Sequence, residues 1–162
     1  MIEVVALLAA AAIAHLLWPY LARRGAAYST SRKEAAAWAF RQIGVAGKRV
    51  YDLGCGYGVV LTLARSMGAV PIGVEIDPLR WAICRLRCRC VVLLRDMFKV
   101  DLSDADVVYV FQWPSVNIRL AEKLARELKP SAYVVSYMWE IPGLTLVAKN
   151  PRLKIYIYQK NI

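Results

Sequence analysis

The sequence has few of the residues that protein zinc sites are built from. It contains one histidine, His15, and four cysteines, none of which forms a Cys-x-x-Cys pair. Cys84, Cys88 and Cys90 are clustered, and Cys55 is distant from them. Because a structural zinc ion takes four nitrogen or sulfur ligands at characteristic spacings, we predict no metal site. The cluster indicates a buried helix face, and its spacing does not decide whether a disulfide forms.

Acidic residues are scarce relative to basic ones. The chain of 162 residues has 12 Asp and Glu against 22 Lys and Arg, which gives a formal net charge of +10. Such a charge favours acidic partners, namely nucleic acid, an anionic membrane surface or an acidic protein. It does not choose among them, so nucleic acid stays open as a partner. The length suffices for one domain with its own core.

Charged residues are nearly missing from the N-terminus. Residues 2–22 form an almost continuous apolar run that is long enough to span a bilayer as a helix. Arg23 and Arg24 follow it directly, which by charge asymmetry puts the rest of the chain on the cytoplasmic side. We therefore divide the chain into a candidate membrane anchor, residues 1–24, and a domain, residues 25–162. The alternative is an alanine-rich helix packed on the domain or on a partner.

Residues 50–58, Val-Tyr-Asp-Leu-Gly-Cys-Gly-Tyr-Gly, contain the clearest functional motif. They predict a strand that ends near an acid, Asp52, followed by a glycine turn and the start of a helix. Glycines allow positive φ and the close approach of a ligand, and the N–H groups at the helix start face that ligand. A tight turn that binds nothing is the alternative.

A second acid follows at the separation that a nucleotide-binding fold requires. Residues 70–77 form another apolar run that contains Glu75. This acid lies about 20 residues after the glycines, where Rossmann-type folds place the carboxylate that binds ribose hydroxyls. Together the two features favour a ligand site over a bare turn.

Predicted strands and helices alternate along the rest of the chain. Apolar segments at 91–94, 106–111 and 132–137 alternate with helical segments, and residues 144–149 and 153–159 look like a closing hairpin. This order predicts an α/β fold whose sheet is mostly parallel, with helices on both faces and an antiparallel edge. The N-terminal apolar helix precedes this domain.

The motif Asp-Leu-Gly-Cys-Gly-Tyr-Gly resembles motif I of the class I S-adenosylmethionine-dependent methyltransferases, and Glu75 resembles the acid of their motif II. The resemblance implies their Rossmann-like, seven-stranded sheet and S-adenosyl-L-methionine as the cofactor. It implies that Asp52 and the glycine turn lie by the methionine part, Glu75 at the ribose, and Asp96 and Met97 beside the adenine. The cofactor-binding residues implied in this way are Tyr28, Thr30, Asp52, Gly54, Cys55, Gly56, Gly58, Glu75, Ile76, Asp96 and Met97.

From about residue 28 onward the chain also resembles the small archaeal protein-lysine methyltransferases and their membrane-anchored mitochondrial relatives. The matching segments are residues 28–30, 50–56, 73–77, 127–130, 135–136 and 140–141. The resemblance implies methyl transfer to a protein substrate with an exposed lysine. With the N-terminal run, it implies a location at the cytoplasmic face of a membrane.

A lysine nucleophile has to lose its proton before it can accept a methyl group, and an apolar, aromatic-lined slot lowers its pKa. Candidates for the catalytic side of the site follow the fourth and fifth predicted strands. They are Phe111, Gln112, Trp113, Tyr137 and Glu140. Ordinary packing at the sheet edge is the alternative for the aromatic ones. The fourth strand lacks the Asn-Pro-Pro-Tyr pattern associated with methylation of adenine or glutamine amino groups, which disfavours nucleobase N-methylation.

Two alternatives stay open beside lysine methylation. One is a methyltransferase that acts on RNA or on a small molecule, and the net charge keeps RNA open. The other is a non-catalytic basic binding module on the same fold. Tyr57 favours it, because the resembling family has an acid at that place in motif I.

Overall fold

The structure is a computed structural model, and it describes residues 2–22 and 29–160. The helices are α1 (Ile2–Ala22), α2 (Lys33–Ile43), α3 (Val59–Ser66), α4 (Pro78–Cys88) and α5 (Pro114–Glu127). The strands are β1 (Arg49–Leu53), β2 (Val70–Glu75), β3 (Val91–Leu94), β4 (Val107–Val110), β5 (Tyr133–Tyr137), β6 (Thr145–Asn150) and β7 (Ile155–Gln159). A short 3-10 turn, Met97–Lys99, follows β3. The alternation of strands and helices predicted from the sequence is confirmed.

The strands form one seven-stranded sheet in the order β3-β2-β1-β4-β5-β7-β6. The first five strands in this order are parallel, and β7 is antiparallel to both β5 and β6. The predicted parallel sheet with an antiparallel edge is therefore confirmed. The chain proceeds from β1 outward to β3 and then returns to β4 on the other side of β1. Open α/β sheets bind ligands at such a switch point, outside the carboxyl ends of the strands.

Helices cover both faces of the sheet, as predicted. On one face α2 and α3 pack over a core that includes Val50, and α4 packs beside α3. On the opposite face Leu120 and Leu124 of α5 share a core with Leu53. Successive strand residues point to opposite faces, so Asp52 points to the same face as Val50, the one covered by α2 and α3.

Helix α4 begins where the sequence predicts it. The Asp77 carboxylate accepts hydrogen bonds from the N–H groups of Leu79 and Arg80, both at 2.9 Å, and Pro78 occupies the first helical position. A carboxylate cap followed by proline stabilises a helix start, because it satisfies N–H groups that lack partners within the helix. The start of α4 is thereby fixed three residues beyond the end of β2.

The four cysteines take two roles. Cys88 and Cys90 form a disulfide, which the sequence had left undecided. Cys55 and Cys84 are free and buried, with their sulfur atoms 3.5 Å apart. Cys84 therefore packs as the buried helix residue that the spacing predicts. It brings α4 into contact with the turn that carries Cys55.

Residues 2–22 form helix α1, as predicted. Its exposed large apolar side chains are Val4, Val5, Leu7, Leu8 and Ile13. Within residues 2–22 and 29–160, no helix combines the length and the apolar character that crossing a membrane requires. The structure therefore does not support the membrane span predicted over residues 2–22.

Candidate active site

Two hollows lie side by side at the carboxyl ends of β1 and β2, and both include Gly54. The first has a volume of ≈350 Å³ and is lined by Ser29, Thr30, Ser31, Asp52, Gly54, Cys55, Gly56, Tyr57, Val59, Val60 and Phe111. The second has a volume of ≈300 Å³ and is lined by Gly54, Val74, Glu75, Ile76, Arg95, Asp96 and Met97. They sit at the switch point of the sheet, where the strand order predicts a ligand.

The turn after β1 needs glycine at two positions. Gly54 has a φ of +86°, and a Cβ there would lie 2.6 Å from the Gln112 Nε2. Gly58 has a φ of +79°, and a Cβ there would lie 2.7 Å from the Cys84 Sγ. Residues with a side chain rarely adopt positive φ, and both positions are also too crowded for one. The backbone can therefore turn sharply and stay close to whatever occupies the hollows.

The Glu75 carboxylate joins the end of β2 to this turn. Its Oε2 accepts a hydrogen bond from the N–H of Gly56 at 2.9 Å. Its Oε1 accepts two more, from the N–H groups of Ile76 and Asp77, each at 2.9 Å. Glu75 is buried, and an ionised carboxylate offers about four acceptor positions. Three are used here, so the carboxylate is held in place and can still accept a further hydrogen bond.

Asp52 is a buried carboxylate at the end of β1, and it lines the first hollow. Burial, and secondly the negative charge of Glu75, raise the pKa of Asp52 to about 8. Its register partner on β4 is Tyr109, whose hydroxyl is buried. Burial raises the pKa of Tyr109, and a weak side-chain hydrogen bond with Ser31, outside strict hydrogen-bond geometry, opposes that rise. This corner of the hollow holds polar groups that a cationic or hydrogen-bonding ligand group would satisfy.

The second hollow has apolar walls and a polar rim. Ile76 and the buried Met97 line it together with Asp96, as the sequence predicts. The Asp96 Oδ1 accepts a hydrogen bond from the N–H of Phe98 at 3.0 Å, which fixes the start of the 3-10 turn. Arg95, which we did not predict, also lines this hollow. A flat heterocycle with polar edges suits such a space.

The structure places the predicted catalytic residues in different surroundings. Phe111 lines the first hollow and packs edge-to-face on the buried Tyr137, with ring centroids 4.8 Å apart. Gln112 is buried beneath the glycine turn. Trp113 and Glu140 are exposed and line neither hollow. Their assignment to the catalytic side of the site stays a prediction.

The structure does bring together most of the predicted cofactor residues. Eight of the eleven line a hollow at the switch point, from the end of β1 and the turn after it, the end of β2 or the segment after β3. The other three are Tyr28, Thr30 and Gly58. Thr30 reaches the first hollow from the segment before α2, and Gly58 starts α3 directly behind the turn. Tyr28 lies outside the described residues. Arg95 was missed although it directly precedes Asp96, and that position after a strand was the available signal.

These residues fit S-adenosylmethionine. The polar first hollow suits the charged amino-acid end, the glycine turn admits a chain close to the backbone, and the apolar second hollow suits an adenine. The fixed Glu75 carboxylate lies between the two ends, where ribose hydroxyls would donate to it. The fold and this site define a Rossmann-like, S-adenosylmethionine-dependent methyltransferase, an enzyme whose cofactor is S-adenosylmethionine. The model of the ANTKMT methyltransferase domain matches residues 52–148, and the chain belongs to that family.

Two characterised relatives agree with this assignment. A protein-lysine N-methyltransferase of Saccharolobus islandicus is 39% identical over 70% of this chain and 73% of its own length. The adenine nucleotide translocase lysine N-methyltransferase of Mus musculus is 37% identical over 63% of this chain. The match covers only 48% of the mouse protein, so this chain spans about half the length of that relative.

A solved structure supports the fold and the cofactor. An RNA methyltransferase from Salinibacter ruber, in complex with S-adenosyl-L-homocysteine, superimposes with a TM-score of 0.71 and 27% identity. The superposition covers 83% of this chain and 94% of that one. S-adenosylhomocysteine is the product that remains when S-adenosylmethionine has given up its methyl group.

Proposed function

We propose that this enzyme transfers methyl groups from S-adenosylmethionine to lysine side chains of a protein. The observation that carries the proposal is the 39% identity with the archaeal protein-lysine N-methyltransferase over 70% of the chain. The mouse relative, which is named for a lysine in another protein, supports the same substrate class. The aromatic pair of Phe111 and Tyr137 beside the first hollow suits a long apolar side chain that ends in an amine.

The same proposal assigns the cofactor contacts. Asp52 faces the amino-acid end, and the amides of the glycine turn (Gly54, Cys55, Gly56) line the path beside it. Glu75 accepts from the ribose hydroxyls, while Ile76, Asp96 and Met97 surround the adenine. Tyr28, Thr30 and Gly58 complete the set of contacts assigned from the resemblance. When bound, the cofactor supplies a methyl group on a positively charged sulfur, so the protein has to position the acceptor and exclude water.

Gln112 is suited to orient the amine. Its Nε2 donates a hydrogen bond to the carbonyl oxygen of Leu53 at 3.1 Å, below the glycine turn. This contact identifies which end of the Gln112 side-chain amide is the nitrogen. The other end is therefore the oxygen, Oε1, which takes no part in this hydrogen bond. We assign that oxygen to an N–H of the incoming lysine amine, so that the lone pair of the amine faces the methyl group. Phe111 and Tyr137 lower the pKa of this lysine because they replace water around it.

The test is methyl transfer from radiolabelled S-adenosylmethionine to lysine. Wild-type enzyme is incubated with a degenerate peptide library centred on lysine and with the same library after its lysines have been acetylated. We expect label on the first library alone, located on the lysine Nε by mass spectrometry. Gln112→Ala should reduce kcat, while the affinity for the cofactor, measured by calorimetry, changes little. Equal label on the acetylated library, or none on either library, would contradict lysine methylation.

RNA is the second candidate substrate, and two observations favour it. The Salinibacter ruber enzyme with 27% identity is an RNA methyltransferase, and this chain carries a net charge of +10. A polycation attracts the phosphate backbone without regard to sequence. The same labelled cofactor, offered with total RNA in place of peptides, separates the two: label that is sensitive to ribonuclease and resistant to protease supports RNA.

We also propose that α1 attaches the domain to the cytoplasmic face of a membrane without a span being required. The support is that five large apolar side chains are exposed among residues 3–14. They are Val4, Val5, Leu7, Leu8 and Ile13. An exposed apolar surface of this kind marks an interaction site. Flotation of the full chain with vesicles, lost in the variant that combines Val5→Ser and Leu8→Ser, is the expected result. Flotation that is equal for both proteins would contradict it.

A further inference from the structure

Two exposed tryptophans lie at matching positions beyond the carboxyl ends of adjacent strands. Val110 of β4 and Ser136 of β5 are register partners. Three residues beyond them stand Trp113 and Trp139, which are 54% and 40% exposed. One residue beyond the register partners, the Phe111 ring packs on Tyr137, so the tryptophans follow directly after the aromatic pair of the proposed site.

The segment that carries Trp139 is held in place by four hydrogen bonds. The Ser136 hydroxyl donates to the carbonyl oxygen of Trp139. The Met138 N–H donates to the Lys154 carbonyl oxygen at 2.7 Å, and the Ile141 N–H donates to the Tyr158 hydroxyl at 3.1 Å.

The fourth of these bonds joins the segment to α5. Asn117, in the first turn of α5, donates from Nδ2 to the Glu140 carbonyl oxygen at 3.1 Å. Trp113 directly precedes this helix, so the bond connects the two elements that carry the tryptophans. The backbone segments that carry the two tryptophans are therefore joined to each other by the fold.

Asn117 is the buried link between the two segments, and its side-chain amide is only partly satisfied. The side chain is fully buried, and within residues 2–22 and 29–160 its Oδ1 has no hydrogen-bond partner. A buried acceptor without a donor is costly and uncommon in native proteins. Because Nδ2 of the same amide binds the Glu140 carbonyl, the unsatisfied oxygen lies close to the segment of Trp139.

Charge favours a cationic occupant. Glu140 is exposed on the same segment, and its carboxylate is close enough to the Tyr158 hydroxyl to add to the rise of its pKa that burial causes. Indole faces attract ammonium and guanidinium groups, and a carboxylate beside them strengthens that preference. A nucleic acid could also stack on tryptophan, but the Glu140 carboxylate would repel its phosphates.

We propose that Trp113, Trp139 and Glu140 form a substrate rim that binds a lysine-bearing segment of the protein substrate, with Asn117 as the residue that positions the rim. The inference rests on the proposed lysine methylation, since it names how the substrate of that site is recognised. The aliphatic part of a lysine and its cationic neighbours lie on the indoles, and Glu140 pairs with a positive charge of the segment. The rim therefore determines affinity for the peptide, while the hollows determine affinity for the cofactor.

The test separates peptide affinity from cofactor affinity. Trp113→Ala, Trp139→Ala and Glu140→Gln are compared with wild type on the lysine-centred peptide library. The control is Leu86→Ala, because Leu86 is an apolar residue on α4 that is more exposed, at 79%, than either tryptophan. We expect each tryptophan variant to raise KM for the peptides about five- to tenfold, as loss of one cation–π surface predicts. The Kd for S-adenosylmethionine and the melting temperature should stay at the wild-type values, as should all constants of Leu86→Ala.

The Glu140→Gln variant reports on charge. The KM of Glu140→Gln should exceed the wild-type KM at low salt, and the ratio of the two should fall towards 1 as salt rises, because salt screens the attraction that Glu140 supplies. Tryptophan variants with the KM of wild type would overturn the proposal of a substrate rim. The proposed function would still be supported if the wild-type enzyme methylates lysine. A wild-type enzyme that binds S-adenosylmethionine but labels RNA and no lysine would overturn both.

Discussion

The backbone N–H of Gly56 donates a hydrogen bond to the Glu75 Oε2 at 2.9 Å, between residues 19 positions apart. This contact ties the turn after β1 to the end of β2. The acid that the sequence assigns to ribose binding is therefore also a structural part of the glycine turn. Its three backbone hydrogen bonds hold the carboxylate in position before any ligand arrives, which lowers the entropic cost of binding.

Replacing Glu75 should weaken cofactor binding strongly. Glu75→Gln exchanges one acceptor oxygen for a donor, so at least one of the three N–H groups loses its partner. A hydrogen bond to a charged group contributes about 1.5–3 kcal/mol, which corresponds to roughly a 10- to 100-fold rise in the Kd for S-adenosylmethionine. Calorimetric titration measures it. Glu122→Gln, which removes an exposed carboxylate from α5, serves as the control, and a Glu75→Gln affinity equal to that of the control would refute this role.

Asp52 should make the stability of the free enzyme depend on pH. Its pKa is raised to about 8 in the folded protein from 3.8 for the exposed group, so the folded state holds the proton more tightly. The stabilisation is complete below about pH 3.8 and is lost as pH rises towards 8, at no more than about 1.4 kcal/mol per pH unit. Urea unfolding between pH 5 and pH 9 should show this decline. In Asp52→Asn the decline should be smaller, and parallel curves for the two proteins would be evidence against the shift.

Cofactor binding should release a proton from Asp52. The positively charged amino group of S-adenosylmethionine, placed beside this carboxylate, favours the ionised form and lowers its pKa from about 8. At pH 7 the enzyme therefore gives up a fraction of a proton per cofactor bound. Calorimetry in phosphate and in Tris, which differ in ionisation enthalpy, reveals it as a difference in apparent binding enthalpy. Asp52→Asn should give the same enthalpy in both buffers after correction for other groups.

Much of the site could be predicted from local sequence. Strand, acid, glycine turn and helix are consecutive in the chain, so the motif itself specifies their arrangement around Asp52 and Gly54. Glu75 follows from the same logic, because β2 is parallel to β1 and both carboxyl ends meet at one edge. The cap of α4 at Asp77 is likewise a local pattern.

The contacts that were not predicted join residues that are distant in the chain. Gln112 reaches the Leu53 carbonyl across 59 positions, and only the pairing of β4 with β1 brings them together. Asn117 looks like a polar residue on an amphipathic helix, yet it is fully buried because its partner, the Glu140 carbonyl, comes from the segment after β5. Sequence periodicity carries no information on such partners.

The number of free thiols can be measured directly. Cys88 and Cys90 are joined, while Cys55 and Cys84 are free and buried. Denatured protein should therefore react with two equivalents of a thiol reagent without reductant and with four after reduction. Native protein should react slowly, because both free thiols are shielded. Four reactive thiols in the unreduced, denatured protein would show that the disulfide does not form.

The packing of Gly58 against Cys84 should be measurable as an interaction between the two positions. A Cβ at Gly58 would lie 2.7 Å from the Cys84 Sγ, and the φ of +79° adds backbone strain. Gly58→Ala should thus lower the free energy of unfolding by about 2–5 kcal/mol, from about 1–2 kcal/mol of left-handed strain and about 1–3 kcal/mol of overpacking. Gly44→Ala isolates the strain, because Gly44 has a φ of +67° and nothing within 4 Å of the added Cβ.

Adding Cys84→Ala to Gly58→Ala should remove the overpacking, because the sulfur is gone, and leave only the backbone strain. The double variant should then be less stable than Cys84→Ala by about 1–2 kcal/mol in free energy of unfolding. Gly44→Ala should be less stable than wild type by about the same amount. Urea denaturation of the four variants and wild type provides every value in this comparison. If Gly58→Ala costs no more than Gly44→Ala, the sulfur moves aside freely, and α4 does not hold the glycine turn in the way the contact indicates.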